Sequence, residues 1–298
     1  MEIPSLTDTE TNLRHCLLLK ADDLYFTLAA PLGEELRNGF LGIEVEGLAD
    51  ENLSEEAIAA IDLDRFDIAE RVRRLHAMVS ARGLSIDDPN RPDTEFGRND
   101  NLYFLEHFLS TLPDVALGGT DLTGARNGAV RQLYNLSFAW LNLIETIEGG
   151  FCGESETALS VGDLALLSGL DIRTIRNRCG PGKQVRTSAD RAVRQRGKAA
   201  PAFVSLNALD ALEWLVGRKD FKVAQIAPAW LTRELANSDA CGATRGLLIA
   251  SIVNLGPLST LGNELGFTFD DARNWFDQGS VLPTGVINGI TAKLGIQN

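Results

Sequence analysis

The sequence predicts an all-α, mainly helical protein with a helical N-terminal domain, a central domain and a C-terminal helical domain. Three observations carry that expectation. Apolar residues recur at three-to-four spacing over long stretches, alternating strand-like runs are scarce, and glycine- and proline-rich stretches separate the periodic ones. At 298 residues the chain has room for two or three packed domains.

In the first half, Phe66, Ala69, Val72, Leu75 and Val79 keep helical spacing through 65–82. Leu102, Leu105, Phe108, Leu109 and Leu112 repeat it, as do Val130, Leu133, Leu136, Leu143 and Ile147. Breaker-rich stretches at 83–97 and 113–128 lie between them. The best strand-like run, GIEVE at 42–46, is short. These stripes account for a core and carry no chemistry. Gly149, Gly150 and Gly153, followed by polar residues, predict a boundary. The expected division is therefore an acidic helical domain over 1–150, a second domain over 151–220 and a third over 228–298. Residues 219–227 read as a connector, and Pro228 opens the last domain.

Several function classes are excluded by what these residues cannot assemble. Cys16, Cys152, Cys179 and Cys241 are far apart with no CxxC pair, so neither a disulfide framework nor a zinc knuckle is expected. A reduced, cytoplasmic setting follows. Residues 1–12 are polar and acidic, unlike a signal peptide. No apolar run reaches the ~18 residues of a membrane span. His15, His76 and His107 share no metal-ligand spacing. The glycines at 118, 119 and 124 do not follow a strand, so they form no dinucleotide fingerprint. In GPGK at 180–183 the P-loop pattern fails twice, with Asn177 at its first glycine and Gln184 at its Ser/Thr position. The expectation is no enzyme, no metal and no cofactor.

Charge supplies the positive clue. The net charge of −13 taken whole argues against nucleic acid, yet its distribution argues the other way. Residues 1–150 hold 12 basic against 27 acidic side chains. Residues 171–198 hold nine basic ones (Arg173, Arg176, Arg178, Lys183, Arg186, Arg191, Arg194, Arg196, Lys198) and two acidic. A single basic island in an acidic chain is the electrostatic footprint of a polyanion site. Cys179 lies beside it, where cations could lower its pKa, although plain packing is the simpler expectation.

The island overlaps the segment LSVGDLALLSGLDIRTIRN at 159–177. Ser160 can cap a first helix, with Asp163 at capping-box spacing. Leu164 and Leu167 face a core, Ala165 is small where two helices cross, and Gly169 permits a left-handed turn. Asp171 can cap a second helix, with Ile175 packed beneath it. Ile172, Arg173, Arg176 and Asn177 are then left pointing outward.

This segment resembles a bacterial helix-turn-helix. The strand-like 202–204 and the helix 206–216, capped by Ser205, continue a layout similar to excisionase-like and winged modules. Arg178 departs from the apolar residue usual at its place. A second segment, LGNELGFTFDDARNW at 261–275, resembles phage-repressor-like domains, with Gly262 at the small position, Gly266 at the turn and Trp275 at the buried one. It departs in one extra residue before Gly279 and in Asp270 and Asp271, which would repel phosphate.

The resemblance implies a sequence-specific regulator of transcription, of bacterial or phage origin, bound to double-stranded DNA. Ile172, Arg173, Arg176 and Asn177 would read bases, while Lys183, Arg186, Arg191, Arg194, Arg196 and Lys198 would follow phosphates on a basic arm. A homodimer would pair two half-sites. The acidic N-terminal half would offer a surface to a protein partner such as RNA polymerase. Two alternatives stay open: an adaptor that uses these folds to bind protein, and a factor controlling DNA excision or recombination.

Overall fold

The computed structural model describes residues 2–28, 30–45, 53–82, 95–113, 127–153, 156–180, 182–187 and 205–296. Among them are fourteen α-helices, one short 3-10 turn and a single two-stranded sheet, so the fold is all-α as expected. No single helix among the described residues is long and apolar enough to cross a membrane.

The chain divides into two compact units, 3–80 with 94–137, and 138–298 with the short segments 1–2 and 81–93. The first unit is organised by α1 (Leu6–Thr27). Ser5 caps it by accepting from the Asp8 N–H. Cys16, Leu17, Leu18, Leu19 and Ala21 are all buried, so this helix is covered on every side along its middle. Its polar residues tie down the helices around it. Glu10 pairs with Arg73 of α4 (Asp67–Ala81) at 2.8 Å. Asn12 Oδ1 accepts the Val130 N–H at the start of α6 (Ala129–Phe151) at 3.0 Å. Lys20 donates to the Thr111 carbonyl, just past α5 (Glu95–Ser110), at 2.9 Å. Between α1 and α4 lie α2 (Leu32–Leu41) and α3 (Glu55–Ala59). The run at 42–45 is not a strand: Gly42 is the left-handed cap of α2 (φ 74°), and Val45 drops into the core.

In the second unit, β1 (Glu156–Ser160) leads into α7 (Val161–Ser168) and α8 (Ile172–Arg178). The strand β2 (Ser205–Asn207) pairs antiparallel with β1 and runs into α9 (Ala208–Val216). The expected cap therefore moves: Asn207, not Ser205, accepts the Asp210 N–H, because Ser205–Asn207 is spent on the sheet. The expected strand at 202–204 lies outside the described residues. The rest is α10 (Pro228–Asn237), α11 (Ala240–Leu255), α12 (Leu258–Leu265), α13 (Phe269–Gln278) and α14 (Thr284–Leu294).

Two expected boundaries do not exist. The glycines at 149–150 lie within α6, and the division between units falls between Ser137 and Phe138 of that helix. Gly150 serves packing rather than flexibility: a Cβ there would stand 2.1 Å from Ile249 Cδ1 of α11. Gly242 and Gly246 of α11 are pressed in turn by Phe151, whose ring stacks edge-on against Trp230 at 4.9 Å. The connector at 219–227 separates no domains either. Asn254 of α11 clamps it by accepting the Ile226 N–H at 2.7 Å and donating to its carbonyl at 2.8 Å. The bare N-terminus of α12 takes its cap from α9, where the Glu213 carboxylate accepts the Leu258 and Ser259 N–H groups at 2.6 and 3.0 Å. Since α7 packs on α9 and α9 packs on α11, the two segments belong to one compact unit.

Two glycine substitutions should move stability in opposite directions. Gly39 of α2 has nothing within 4 Å of a built Cβ, so Gly39→Ala should add roughly 0.5–1 kcal/mol. A Cβ at Gly262 would lie 2.3 Å from the Phe267 carbonyl oxygen, so Gly262→Ala should cost roughly 1–3 kcal/mol despite better helix propensity. Urea midpoints of the two variants check both signs.

Candidate nucleic-acid interface

The caps, turn and buried positions expected around α7 and α8 are present residue by residue. Ser160 Oγ accepts the Asp163 N–H at 3.2 Å, and Asp163 accepts the Ser160 N–H at 2.8 Å, closing the capping box. Asn142 of α6 donates to the same carboxylate at 3.1 Å. Leu164, Leu167 and Ile175 are fully buried. Gly169 ends α7 at φ 67°, and the Leu170 N–H reaches back to the Ala165 carbonyl at 3.2 Å. Asp171 accepts the Arg173 N–H at 2.8 Å, and α8 begins.

What α8 leaves outside is compact and cationic. Ile172, Arg173, Arg176 and Asn177 are exposed. The side chains of Arg173, Arg176 and Asn177 make no hydrogen bond or ion pair among the described residues. Residues 173 and 177 are four apart, about 6 Å along the axis, which is close to two base-pair steps. Arg178, which replaces the apolar residue usual at its place, is exposed at the last turn and donates to Gln184 Oε1 at 2.8 Å. Lys183 is exposed as well. Cys179 packs: burial pushes its thiol up to about 11, away from thiolate chemistry.

The basic arm divides. Thr187 is bridged antiparallel to Leu206, and the Asn207 N–H donates to the Arg186 carbonyl at 2.8 Å. Arg191, Arg194, Arg196 and Lys198 fall outside the described residues. Arg186 does not serve the expected role of a phosphate contact. It donates to Asp210 from its backbone N (2.9 Å), Nε (2.8 Å) and Nη2 (3.2 Å), and to Asp277 from Nη1 (2.6 Å). With two carboxylates in contact, its charge is spent inside the unit.

Asp210 is the site residue that sequence reading passes over. Its side chain is 0% exposed, and it also accepts from Arg273 Nε (3.0 Å) and Nη2 (3.3 Å) of α13. The available signal is a carboxylate within the apolar run ALDALEWLV. A charge at such a place has to be paired.

The segment α12–α13 repeats the turn of α7–α8 in backbone and differs in what its outer side chains meet. Both opening helices span eight residues and end on a left-handed glycine, Gly169 and Gly266. Counting from those glycines, Ala165 matches Gly262, Asp171 matches the cap Thr268, and Ile175 matches the buried Ala272. On the outer face Arg173, Arg176 and Asn177 match Asp270, Arg273 and Asn274. In α13, however, Arg273 is turned onto Asp210 and Asp270, and Asp277 onto Arg186 and Asn207. Asp271 is a capping residue, held below the usual carboxylate range by the Thr268 hydroxyl and backbone N–H. The buried aromatic of this helix is Phe276 rather than Trp275, because Phe276 lies one helical turn beyond the buried Ala272, while Trp275 packs at the flank against Phe267.

Among the described residues no group of three His, Cys, Asp or Glu side chains could hold a metal ion. Comparison with protein-family models, with curated proteins and with solved structures finds no match to this chain.

The buried carboxylate sets a stability test. Asp210→Ala leaves Arg186 and Arg273 facing an emptied pocket and should cost roughly 3–5 kcal/mol. Asp277→Ala removes only a half-exposed partner and should cost under about 1 kcal/mol. Urea unfolding of both variants, followed by circular dichroism, measures the difference.

Proposed function

We propose that this protein is a sequence-specific double-stranded-DNA-binding transcription regulator, of bacterial or phage origin, that reads the major groove with α8. The observation that carries this reading is the exposed face of α8. It presents two arginines and an asparagine at helical spacing, free of partners among the described residues, on a helix fixed by the Gly169 turn. Arginine and asparagine make the bidentate contacts that distinguish guanine and adenine, and Ile172 can meet a thymine methyl. The groove is about 12 Å wide and admits such a helix.

Lys183 and the basic residues of 188–204 supply sequence-independent attraction to phosphate in this reading. Among the described residues α8 is the helix free to read bases, since Arg273 and Asp277 of α13 are committed to Asp210 and Arg186. One such helix covers few base pairs, so a homodimer on half-sites about 34 Å apart completes the recognition. The acidic first half, with Phe26, Leu32 and Leu36 exposed, is the surface for a protein partner.

Retention on fragmented genomic DNA, with excess non-specific competitor, should recover discrete sites. On such a site Arg176→Ala should lose roughly 1–3 kcal/mol and relax one base position. Lys183→Ala should weaken cognate and scrambled duplexes alike and reduce the salt slope by about one. An equal loss on both duplexes for the Arg176 variant would reduce that residue to charge neutralisation. Recovery of no discrete sites would hand the fold to the adaptor reading, in which it binds protein.

A further inference from the structure

The first unit contains a groove that the DNA reading does not use. It is open to solvent and offers about 330 Å³ where α1, α4 and α5 converge. Ile68, Phe104 and Phe108 form its apolar wall, and Lys20, Arg71, His107, Thr111 and the Asp67 carboxylate its polar side. Both fixed cations are held by their own scaffold. Arg71 donates from Nε to Asp67 at 2.6 Å and from Nη1 to Asn101 at 3.1 Å, and its guanidinium lies 4.1 Å over the Phe104 ring. Lys20 donates to the Thr111 carbonyl at 2.9 Å and to Asp23 at 3.4 Å.

An arginine has five N–H donors and a lysine three. The two cations therefore keep donors beyond these contacts, and Arg71 Nη2 has no acceptor among the described residues. Asp67 and Asn101 fix the guanidinium without covering it, which is the preorganisation that makes a charge-assisted pair selective for a planar acceptor. A concave, largely apolar groove with a few converged polar groups is the usual form of a small-molecule site, and its volume falls at the small end of their range.

We propose that this groove binds a small aromatic monocarboxylate, its ring against Phe104, Phe108 and Ile68 and its carboxylate on Arg71 and Lys20. A carboxylate satisfies both cations with two oxygens, and the short apolar wall fits a single ring. The site goes beyond the DNA reading and does not depend on it, so the test measures binding alone.

Phenylacetate and its neutral counterpart phenylacetamide are titrated into the full-length protein and followed by calorimetry and ligand-observed NMR. Phenylacetate should bind with a Kd of about 1 mM or tighter, and phenylacetamide at least about tenfold more weakly. Arg71→Gln should lose about tenfold in phenylacetate affinity or more, and Phe104→Ala, at a half-exposed position, a similar factor. Arg74→Gln, whose pair with Glu70 lies outside the groove, should leave affinity unchanged. If Arg71→Gln alters the circular dichroism spectrum, Lys20→Met carries the same readout. Equal binding of the amide, retained affinity in a folded Arg71 or Lys20 variant, or no phenylacetate binding at 10 mM (about ten times the expected Kd) overturns the proposal.

Discussion

The second unit depends on one buried carboxylate. Asp210 collects donors from Arg186 and Arg273, which come from segments 24 and 63 residues away in opposite directions. No solvent reaches its side chain, so its charge depends on these two arginines for pairing. Asp277 and Asp270 of α13 pair with the same two arginines from more exposed positions, so the five side chains together carry one net negative charge and only Asp210 is fully buried. Its geometric effect is larger than its energetic one: it fixes the segment after α8, the start of α9 and the whole of α13 in one arrangement.

This constraint explains why two alike helix-turn-helix backbones in one chain present different outer faces. Their turns are built alike, with a left-handed glycine four residues after the small residue and the second helix capped two residues after the glycine. An arginine and an asparagine recur at equivalent outer positions. In the first copy they meet no partner among the described residues. In the second, Arg273 is drawn inward by Asp210 and locked from the other side by Asp270. The α13 helix is a brace because carboxylates take its arginine. The difference lies in which charges the neighbouring helix brings, not in the backbone.

Helices and turns are legible in the sequence because their signals are local. Periodicity locates α4, α5 and α6, and the caps Ser160, Asp163 and Asp171 and the glycine at 169 can be read directly from residue type and spacing. The sharing of α6 between units and the union of the two helix-turn-helix segments are not legible. Glycines at 149–150 carry the same letters whether they loosen a linker or let Phe151 approach α11, and only the partner helix decides between the two. Arg186 likewise reads with its neighbours as a phosphate contact, since its carboxylates are 24 and 91 positions distant. Trp275 takes the place of Phe276 in the sequence pattern because a one-residue phase error in a short helix exchanges core and flank. Local chemistry is readable from a sequence, and long-range charge pairing is not.

The acidity of the whole chain poses the remaining question for the DNA reading, and screening answers it. At physiological salt the Debye length is about 8 Å. Exposed charges farther than this from a phosphate contribute little attraction or repulsion, so the net charge of −13 is the wrong quantity to weigh. What a phosphate within that distance of α8 meets is Arg173, Arg176, Arg178 and Lys183, with Asp171 turned to capping and Arg186 already neutralised. The basic residues of 188–204 add to this surplus of positive charge in the proposed reading. Their contribution would be independent of sequence and would fall as salt rises, whereas bidentate base contacts by Arg173, Arg176 and Asn177 would keep their discrimination. In that reading selectivity rests on the exposed face of α8 and gains on general binding as ionic strength increases.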